Sequence, residues 1–349
     1  MGIEVGTEIC KIDHVAVDPQ SYLFSTPNTS ADFGVAAITK QGQQIVSTPA
    51  YSWRWEWQPQ GNTIFNIPAD SFIYKIGAFQ KDFPLFLNGD LSDTNSLLQL
   101  KSFCTDNYMI QLNNEVQKQY PKLDEIEAEF NAAFMHYKHY FPQGHIPVIY
   151  SYVSGLDFEF PIKYATDNLL IGLDMYLGEN FDAYSVSGFS KYRTHWAVKE
   201  AIVSDAMLEV ASGILPENSS SDNLLQLMIY QGKRLYFMKS MCPEISDTLL
   251  FKYTINQLKW VNDYEGKVWS TFLENKLLYN NDKKMIKKFM EDGPFTDIFS
   301  KDSPARIGYF IGFQIVKNYM TETNSSLSEL IKEVDSQKIL KLSHYKPKL

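Results

Sequence analysis

Residues 168–215 constrain the fold more than any other stretch, because within them the apolar spacing changes from that of a strand to that of a helix. The apolar run at 169–173 is too short to cross a bilayer and predicts a covered strand. Apolar residues then recur every three or four positions, which predicts a helix over 196–214. Asp205 and Glu209 lie one turn apart on that helix, so both carboxylates leave from the same side. Such an arrangement can place catalytic groups, or it can form a core with a polar edge.

The apolar periods along the chain predict an α+β protein that is mainly helical. Strand candidates at 146–152 and 158–164 join the strand at 168–173 in a small antiparallel sheet. The predicted helices occupy residues 68–83, 94–117, 121–141, 222–241, 247–275, 282–291, 303–319 and 326–334.

Three local signals in the C-terminal part make sharper predictions. Ser303 followed by Pro304 is typical of the first turn of a helix. Gly308 and Gly312, four residues apart on that helix, indicate that another element packs closely against its backbone. The basic tail from Lys338 onward is predicted to be frayed.

The change from β and loop character to helical character predicts a domain boundary after residue 67. Residues 1–67 would form a segment packed on the body or an insertion, and 68–349 the helical domain. Strict alternation places Trp53, Trp55 and Trp57 on one face of a strand in the first segment. Two interpretations stay open: an aromatic face buried against the body, or an exposed stacking platform for a sugar or a partner.

Composition excludes several functional classes. The formal net charge of −9 argues against general affinity for nucleic acid or anionic lipid. The sequence contains no run of eighteen apolar residues, which is about the length that a membrane-spanning helix needs. The three cysteines are widely separated, which is typical neither of a disulfide framework nor of a zinc ligand set. The N-terminus has no signal-peptide pattern, so we expect either a cytoplasmic protein or one whose signal segment has been removed.

Standard catalytic motifs are missing from the sequence: no nucleophile elbow, phosphate-binding loop, dinucleotide fingerprint or H-E-x-x-H occurs. Asp205 and Glu209 could share a proton and act in acid–base chemistry if buried, or could be an exposed or salt-bridged pair. His136, His139 and His145 cluster at the end of one helix, but no acidic or sulfur ligand is near them in sequence, which favours a structural or solvent-facing role.

Several long segments resemble the GldB family of lipoproteins associated with bacterial gliding motility. The resemblance covers roughly residues 76–335, whereas residues 25–67 look unlike the family. It rests on DFPLFLNGDL, YFPQGHIPVIYSYVSG, NLLIGLDMYLG, LLQLMIYQGKRLYF, INQLKWVNDYEGKVWSTFLENKLLY and SPARIGYFIGFQIVKNYM, which occur in the family's order.

This resemblance implies a place in the cell and a class of partner. Members carry a signal peptide and a lipidated cysteine, so the chain looks like the mature part of a lipid-anchored protein that faces the periplasm, in the outer membrane. The implied partners are other proteins of the envelope or of the motility machinery. The family also occurs in species that do not glide, so motility itself need not be the role.

The family is also distantly similar to small zinc metallopeptidases of the gluzincin type, which implies a zincin-like arrangement of sheet and central helix. In the best register, Ser204, Asp205 and Leu208 take the places of His, Glu and His, and Gln231 takes that of the third ligand. Serine, leucine and glutamine cannot replace two imidazoles and a carboxylate at zinc, so the resemblance implies neither metal nor cofactor. The implied remnant cleft comprises Ser204, Asp205, Leu208, Glu209, Tyr230, Gln231, Tyr236 and Arg306.

We therefore interpret the chain as a non-catalytic envelope lipoprotein, a pseudo-metallopeptidase with a binding or scaffold role. Two alternatives stay open. One is an enzyme, either a metal-independent hydrolase using Asp205 and Glu209 or a zinc enzyme with other ligands. The other is a glycan- or peptide-binding protein that uses the three tryptophans.

Overall fold

A computed structural model of the chain shows a mainly helical α+β protein with a small sheet. The structure does not describe the predicted boundary after residue 67, nor does it describe Trp55 and Trp57. The expectations about them therefore stay predictions. The described residues are 52–53, 93–104, 106–165, 167–216 and 222–348.

The sheet is mixed rather than antiparallel. Its four strands are β1 (Ser52–Trp53), β2 (Val148–Tyr152), β3 (Ile162–Ala165) and β4 (Asn168–Gly172), in the order β1-β2-β4-β3. β1 and β4 both run parallel to β2, and only β3 and β4 are antiparallel. The short turn between β3 and β4 enforces their antiparallel pairing, whereas the longer connection from β2 to β4 allows a parallel one. The predicted covered strand is confirmed, because every residue of β4 after Asn168 is buried.

The helices of the described residues are numbered in chain order, and short 3₁₀ turns occur among them at Leu173–Tyr176, Lys199–Ala201 and Leu277–Tyr279. The first six are α1 (Thr94–Cys104), α2 (Asn107–Gln119), α3 (Asp124–Tyr140), α4 (Asp182–Val186), α5 (Lys191–Thr194) and α6 (Ile202–Ile214). The remaining seven are α7 (Leu224–Met241), α8 (Asp247–Phe251), α9 (Ile255–Glu274), α10 (Lys283–Met290), α11 (Ile307–Thr323), α12 (Leu327–Lys332) and α13 (Ser336–Ser343). None of the described helices is both long enough and apolar enough for a membrane crossing.

The chain divides into two compact units. The first comprises residues 1–131, 145–187 and 197–202, and so contains the sheet. The second comprises residues 132–144, 188–196 and 203–349, and so contains α7 to α13 and nearly all of α6.

A buried carboxylate connects two loops of the first unit through hydrogen bonds. Asp174 is fully buried and accepts hydrogen bonds from the backbone N–H groups of Ser154 and Leu156, both at 2.7 Å. The Ser154 hydroxyl donates a third bond at 3.0 Å. Burial raises the pKa of Asp174, and these hydrogen bonds oppose the shift. Asp174 thereby ties the turn after β4 to the loop that leaves β2.

Close packing of α7 against α11 forms the centre of the second unit. A Cβ atom added at Gly312 would overlap the carbonyl group of Met228 on α7, and one added at Gly232 would overlap the backbone of Gly312. Glycine is therefore required for this contact. The close approach predicted from Gly308 and Gly312 is confirmed.

Caps divide two of the helices that the apolar period predicts as continuous. Asp106 accepts a hydrogen bond from the Met109 N–H and starts α2, so residues 94–117 form two helices. Thr254 and Gln257 form a capping box that separates α9 from α8. Asn223 caps α7 in a capping box with Gln226. A capping side chain accepts a hydrogen bond from an N–H group in the first turn of a helix, and so sets where the helix begins. The spacing of apolar residues carries no information about such a cap.

Two expectations at the C-terminus are wrong. The Ser303 hydroxyl is engaged with the backbone of Thr296, so α11 does not start there and begins at Ile307 instead. The basic tail is not frayed, because Ile339 of α13 is fully buried. Tyr345 donates a hydrogen bond to the Glu265 carboxylate at 2.7 Å, which holds the end of the chain on α9.

Candidate functional site

The central helix α6 has one buried face and one partly exposed face. Val203, Met207 and Val210 are buried, as their spacing predicts. Asp205, Leu208, Glu209 and Ser212 are only half-buried, and their spacing puts them along the other side. Both carboxylates of interest therefore leave from the face that other polar groups can reach.

Asp205 forms an ion pair with Lys252. The lysine Nζ lies 2.7 Å from one carboxylate oxygen and 2.8 Å from the other, and the Asp205 side chain is 15% exposed. Lys252 ends α8 in the left-handed conformation, with a φ of 53°. This backbone turn places its side chain against α6.

Glu209 forms a second ion pair, with Arg234 of α7. The guanidinium Nη2 lies 3.1 Å from the Glu209 carboxylate, and Nη1 donates to the Gln231 side-chain oxygen at 2.9 Å. Arg234 also donates to the Leu208 carbonyl. Burial raises the pKa of Glu209, and the Arg234 charge opposes this shift. Each carboxylate of α6 thus has its own cation, which supports the salt-bridged interpretation of the pair.

The four residues laid over the metallopeptidase ligands and base lie in different surroundings. Ser204 is buried, with 4% of its surface exposed, whereas Leu208 is half-buried. The Gln231 side chain accepts from Arg234, and Asp205 binds Lys252. In the described residues, no group of three or more His, Cys, Asp or Glu side chains is arranged to hold a metal ion.

Three further residues of the implied remnant cleft, Tyr230, Tyr236 and Arg306, lie in surroundings of their own. Tyr236 packs on Phe313, and burial raises the pKa of its phenol. Tyr230 lines a cavity beside α7. Arg306 is paired with Asp292, at 3.6 Å between Nε and Oδ1, and donates to the Phe251 carbonyl at 3.5 Å. Arg306 therefore contacts the residue that precedes Lys252.

Asp292 is shared by two arginines. The Nε atom of Arg193 lies 3.3 Å from Oδ2 of Asp292, whereas Arg306 contacts Oδ1. The Arg306 guanidinium also lies over the Tyr309 ring, 5.4 Å from its centroid. The Asp292 carboxylate thus lies between two guanidinium groups.

The histidines have separate surroundings. His136 makes a hydrogen bond at 2.8 Å with the Met241 carbonyl at the end of α7. His139 is exposed and packs edge-on against Tyr140, and His145 is exposed. The contact of His136 is structural.

Sequence reasoning missed Lys252, Arg234 and Asp292, which bind the predicted residues. Arg234 could have been suspected, because it follows Gln231 by three residues on one helix face. Lys252 and Asp292 are far in sequence from the residues that they bind. No local signal identifies them.

The fold and the site define a mainly helical α+β protein whose central helix carries ion-paired carboxylates. Over residues 52–347 the chain matches the family described as gliding motility protein GldB. It belongs to the GldB family, and this confirms the resemblance. The match includes residues 52–67, which had looked unlike the family. Neither curated proteins nor solved structures gave a match.

Proposed function

We propose that this chain is a non-catalytic member of the GldB family, a lipid-anchored binding or scaffold protein of the cell envelope. The observation that carries the proposal is the pairing of both Asp205 oxygens with the Lys252 ammonium group. In the alignment with the metallopeptidases, Asp205 takes the place of the general base. A general base needs an oxygen directed at the proton that it removes. An ammonium group that bridges both oxygens instead gives Asp205 a structural task.

The ion pair of Glu209 supports the same proposal. Arg234 binds Glu209 and also Gln231 and the Leu208 carbonyl, so a single guanidinium connects three positions of the remnant cleft. The planar group with five N–H donors suits such cross-linking. These contacts stabilise the packing of α6 on α7 and hold these groups in a fixed arrangement.

Replacement of the native copy in the source bacterium tests the proposal. The variant Asp205→Asn/Lys252→Met removes both charges together, so that neither partner is left buried alone. We expect it to accumulate at the wild-type level and to support the same spreading motility or envelope integrity as the wild type. Deletion of the gene provides the reference for loss of function.

Two results would overturn the non-catalytic assignment. One is a double variant that is folded and abundant but behaves as the deletion, because Asp205 would then have a chemical role. The other is stoichiometric zinc that stays with protein purified without chelator, which would restore the metallopeptidase alternative.

Partners are sought by cross-linking in intact cells followed by identification of the captured proteins. We expect envelope or motility-machinery proteins, recovered equally with the wild type and with the double variant. Capture that depends on Asp205 would assign the ion pair to the interface instead of the fold.

A further inference from the structure

A cavity of about 160 Å³ lies along one side of α7. Gln226, Ile229, Tyr230 and Lys233 line it, at the spacing that places residues on a single helix face. An apolar cavity of comparable size accommodates benzene, so this one takes a group of about six to ten non-hydrogen atoms. The rest of the lining is Leu215, Pro216, Asp222, Val334 and Ser336.

Lys233 is the distinctive residue of this lining. Only 6% of the residue is exposed, which is unusual for a lysine. The amine donates one hydrogen bond to the backbone carbonyl of Glu333. Among the described residues this is its one hydrogen-bond partner, whereas an ammonium group has three protons to donate.

The neighbouring carboxylate is engaged elsewhere. Glu333 binds Lys338 and accepts a hydrogen bond from the Asp335 N–H at 2.9 Å. Burial lowers the pKa of Lys233 to about 8, although the charge of Glu333 opposes the shift. An anion placed at the Lys233 amine would supply the compensation that Glu333 gives only in part.

The other residues of the lining restrict the charge and size of the anion that the cavity can bind. Leu215, Ile229 and Val334 offer apolar surface, and Val334 is 70% exposed at the rim. Asp222 precedes the first turn of α7 and lines the same cavity as Lys233. A second negative charge on a long ligand would meet Asp222. The cavity thus favours a single negative charge joined to a short apolar group.

We propose that this cavity binds a small monocarboxylate with a short apolar chain, whose carboxylate accepts hydrogen bonds from the Lys233 ammonium group. The same chemistry is offered by a free organic acid and by the C-terminus of a peptide that ends in an apolar residue. The inference goes beyond the proposed function and does not depend on it, because Lys233 takes no part in the ion pairs of α6.

Calorimetric titration of the full chain with hexanoate and with hexanamide at neutral pH tests the proposal. We expect hexanoate to bind at least about tenfold more tightly than hexanamide, since a charge-assisted hydrogen bond is replaced by a neutral one. Lys233→Met should weaken hexanoate binding by a similar factor. Lys317→Met, which removes an exposed lysine on α11, is the matched control and should bind as the wild type does.

Peptides distinguish the two sources of the carboxylate. A short peptide ending in leucine is compared with its C-terminally amidated form and with hexanoate. Tighter binding of the free peptide assigns the site to chain termini, and tighter binding of hexanoate assigns it to free acids; both support the proposal.

A spectroscopic measurement on the wild type keeps the test independent of how Lys233→Met folds. With ¹³C at the lysine Cε, saturating hexanoate should move the titration midpoint of Lys233 to higher pH, because the bound carboxylate favours the ammonium form. Unchanged titration of Lys233, equal binding to folded Lys233→Met, or no binding of either carboxylate ligand at tens of millimolar would overturn the proposal.

Discussion

Asp205 and Lys252 show how a residue acquires its role from its partner. The Asp205 side chain is 15% exposed, and its charge is matched by an ammonium group at 2.7 Å. We expect Lys252→Met to lower the free energy of unfolding by about 1–3 kcal/mol, because it leaves a largely buried carboxylate without its cation. Asp205→Asn should have an effect of similar size.

A double-mutant cycle measured by urea unfolding separates this pairing from other effects of the two substitutions. The double variant Asp205→Asn/Lys252→Met should be more stable than the sum of the single changes predicts. Strictly additive single effects would show that the ion pair does not stabilise the fold.

Lys233 predicts a pH dependence of stability. Burial depresses its pKa in the folded chain to about 8, below the ordinary value that it keeps when unfolded. Between these two values the unfolded chain binds more protons, so the contribution of Lys233 to stability rises with pH. Below about pH 8 the buried charged amine lowers the free energy of unfolding by a constant amount, on the order of 3 kcal/mol.

Comparison of urea unfolding of the wild type and Lys233→Met across this interval measures the effect. The wild type should gain stability relative to the variant as the pH rises above about 8. Glu333, Lys338 and Asp222 are present in both proteins, so their own titration largely cancels. A stability difference that does not change with pH would contradict the depressed pKa.

At the scale of elements, the contact of α7 with α11 depends on the missing side chain of Gly312. Gly312→Ala should lower the free energy of unfolding by about 3 kcal/mol or more, because the new methyl group overlaps the Met228 carbonyl and the helices must separate.

Gly308→Ala is the matched comparison on the same helix. Its added methyl group would meet chiefly the sulfur of Met290, which is the end of a flexible side chain and can move. The expected loss is therefore smaller than for Gly312→Ala, as measured by thermal and urea unfolding. Equal losses would indicate that helix propensity, rather than the close approach, determines both effects.

The packing of α13 gives a second prediction about an element. Ile339 is fully buried, so Ile339→Ala should cost about 2–4 kcal/mol through lost burial and the cavity that it leaves. Leu340→Ala is the control, because Leu340 is only half-buried and should lose less. If neither substitution changes the urea midpoint, the C-terminal helix is not part of the cooperative fold.

At the scale of the whole molecule, membership of the GldB family predicts where the native gene product is found. A family of lipoproteins implies an acyl anchor, and two or more acyl chains hold a protein stably at a membrane. We expect the protein in the source bacterium to enter the detergent phase on fractionation and to incorporate a labelled fatty acid. Recovery in the aqueous phase without label would contradict this localisation.

How far the sequence predicts the molecule differs between the fold and the site. The α+β class, the strand predicted at 168–173 and found at 168–172, the glycines of α11 and the family were predicted correctly, because each has a local pattern. The direction of β4 relative to β2 and the start of α11 were not. Both depend on which distant groups compete for the same hydrogen bonds, as the engagement of Ser303 with Thr296 shows.

The sequence by itself determined the helical and strand periods, the carboxylate spacing on α6 and the family of the protein, since these follow from neighbouring residues along the chain. Only the tertiary structure decided which cation holds each carboxylate and that Lys233 is buried beside a cavity. Lys252 follows Asp205 by 47 positions, and Arg234 follows Glu209 by 25. Contacts over such separations arise from the packing of whole elements, which no local spacing encodes.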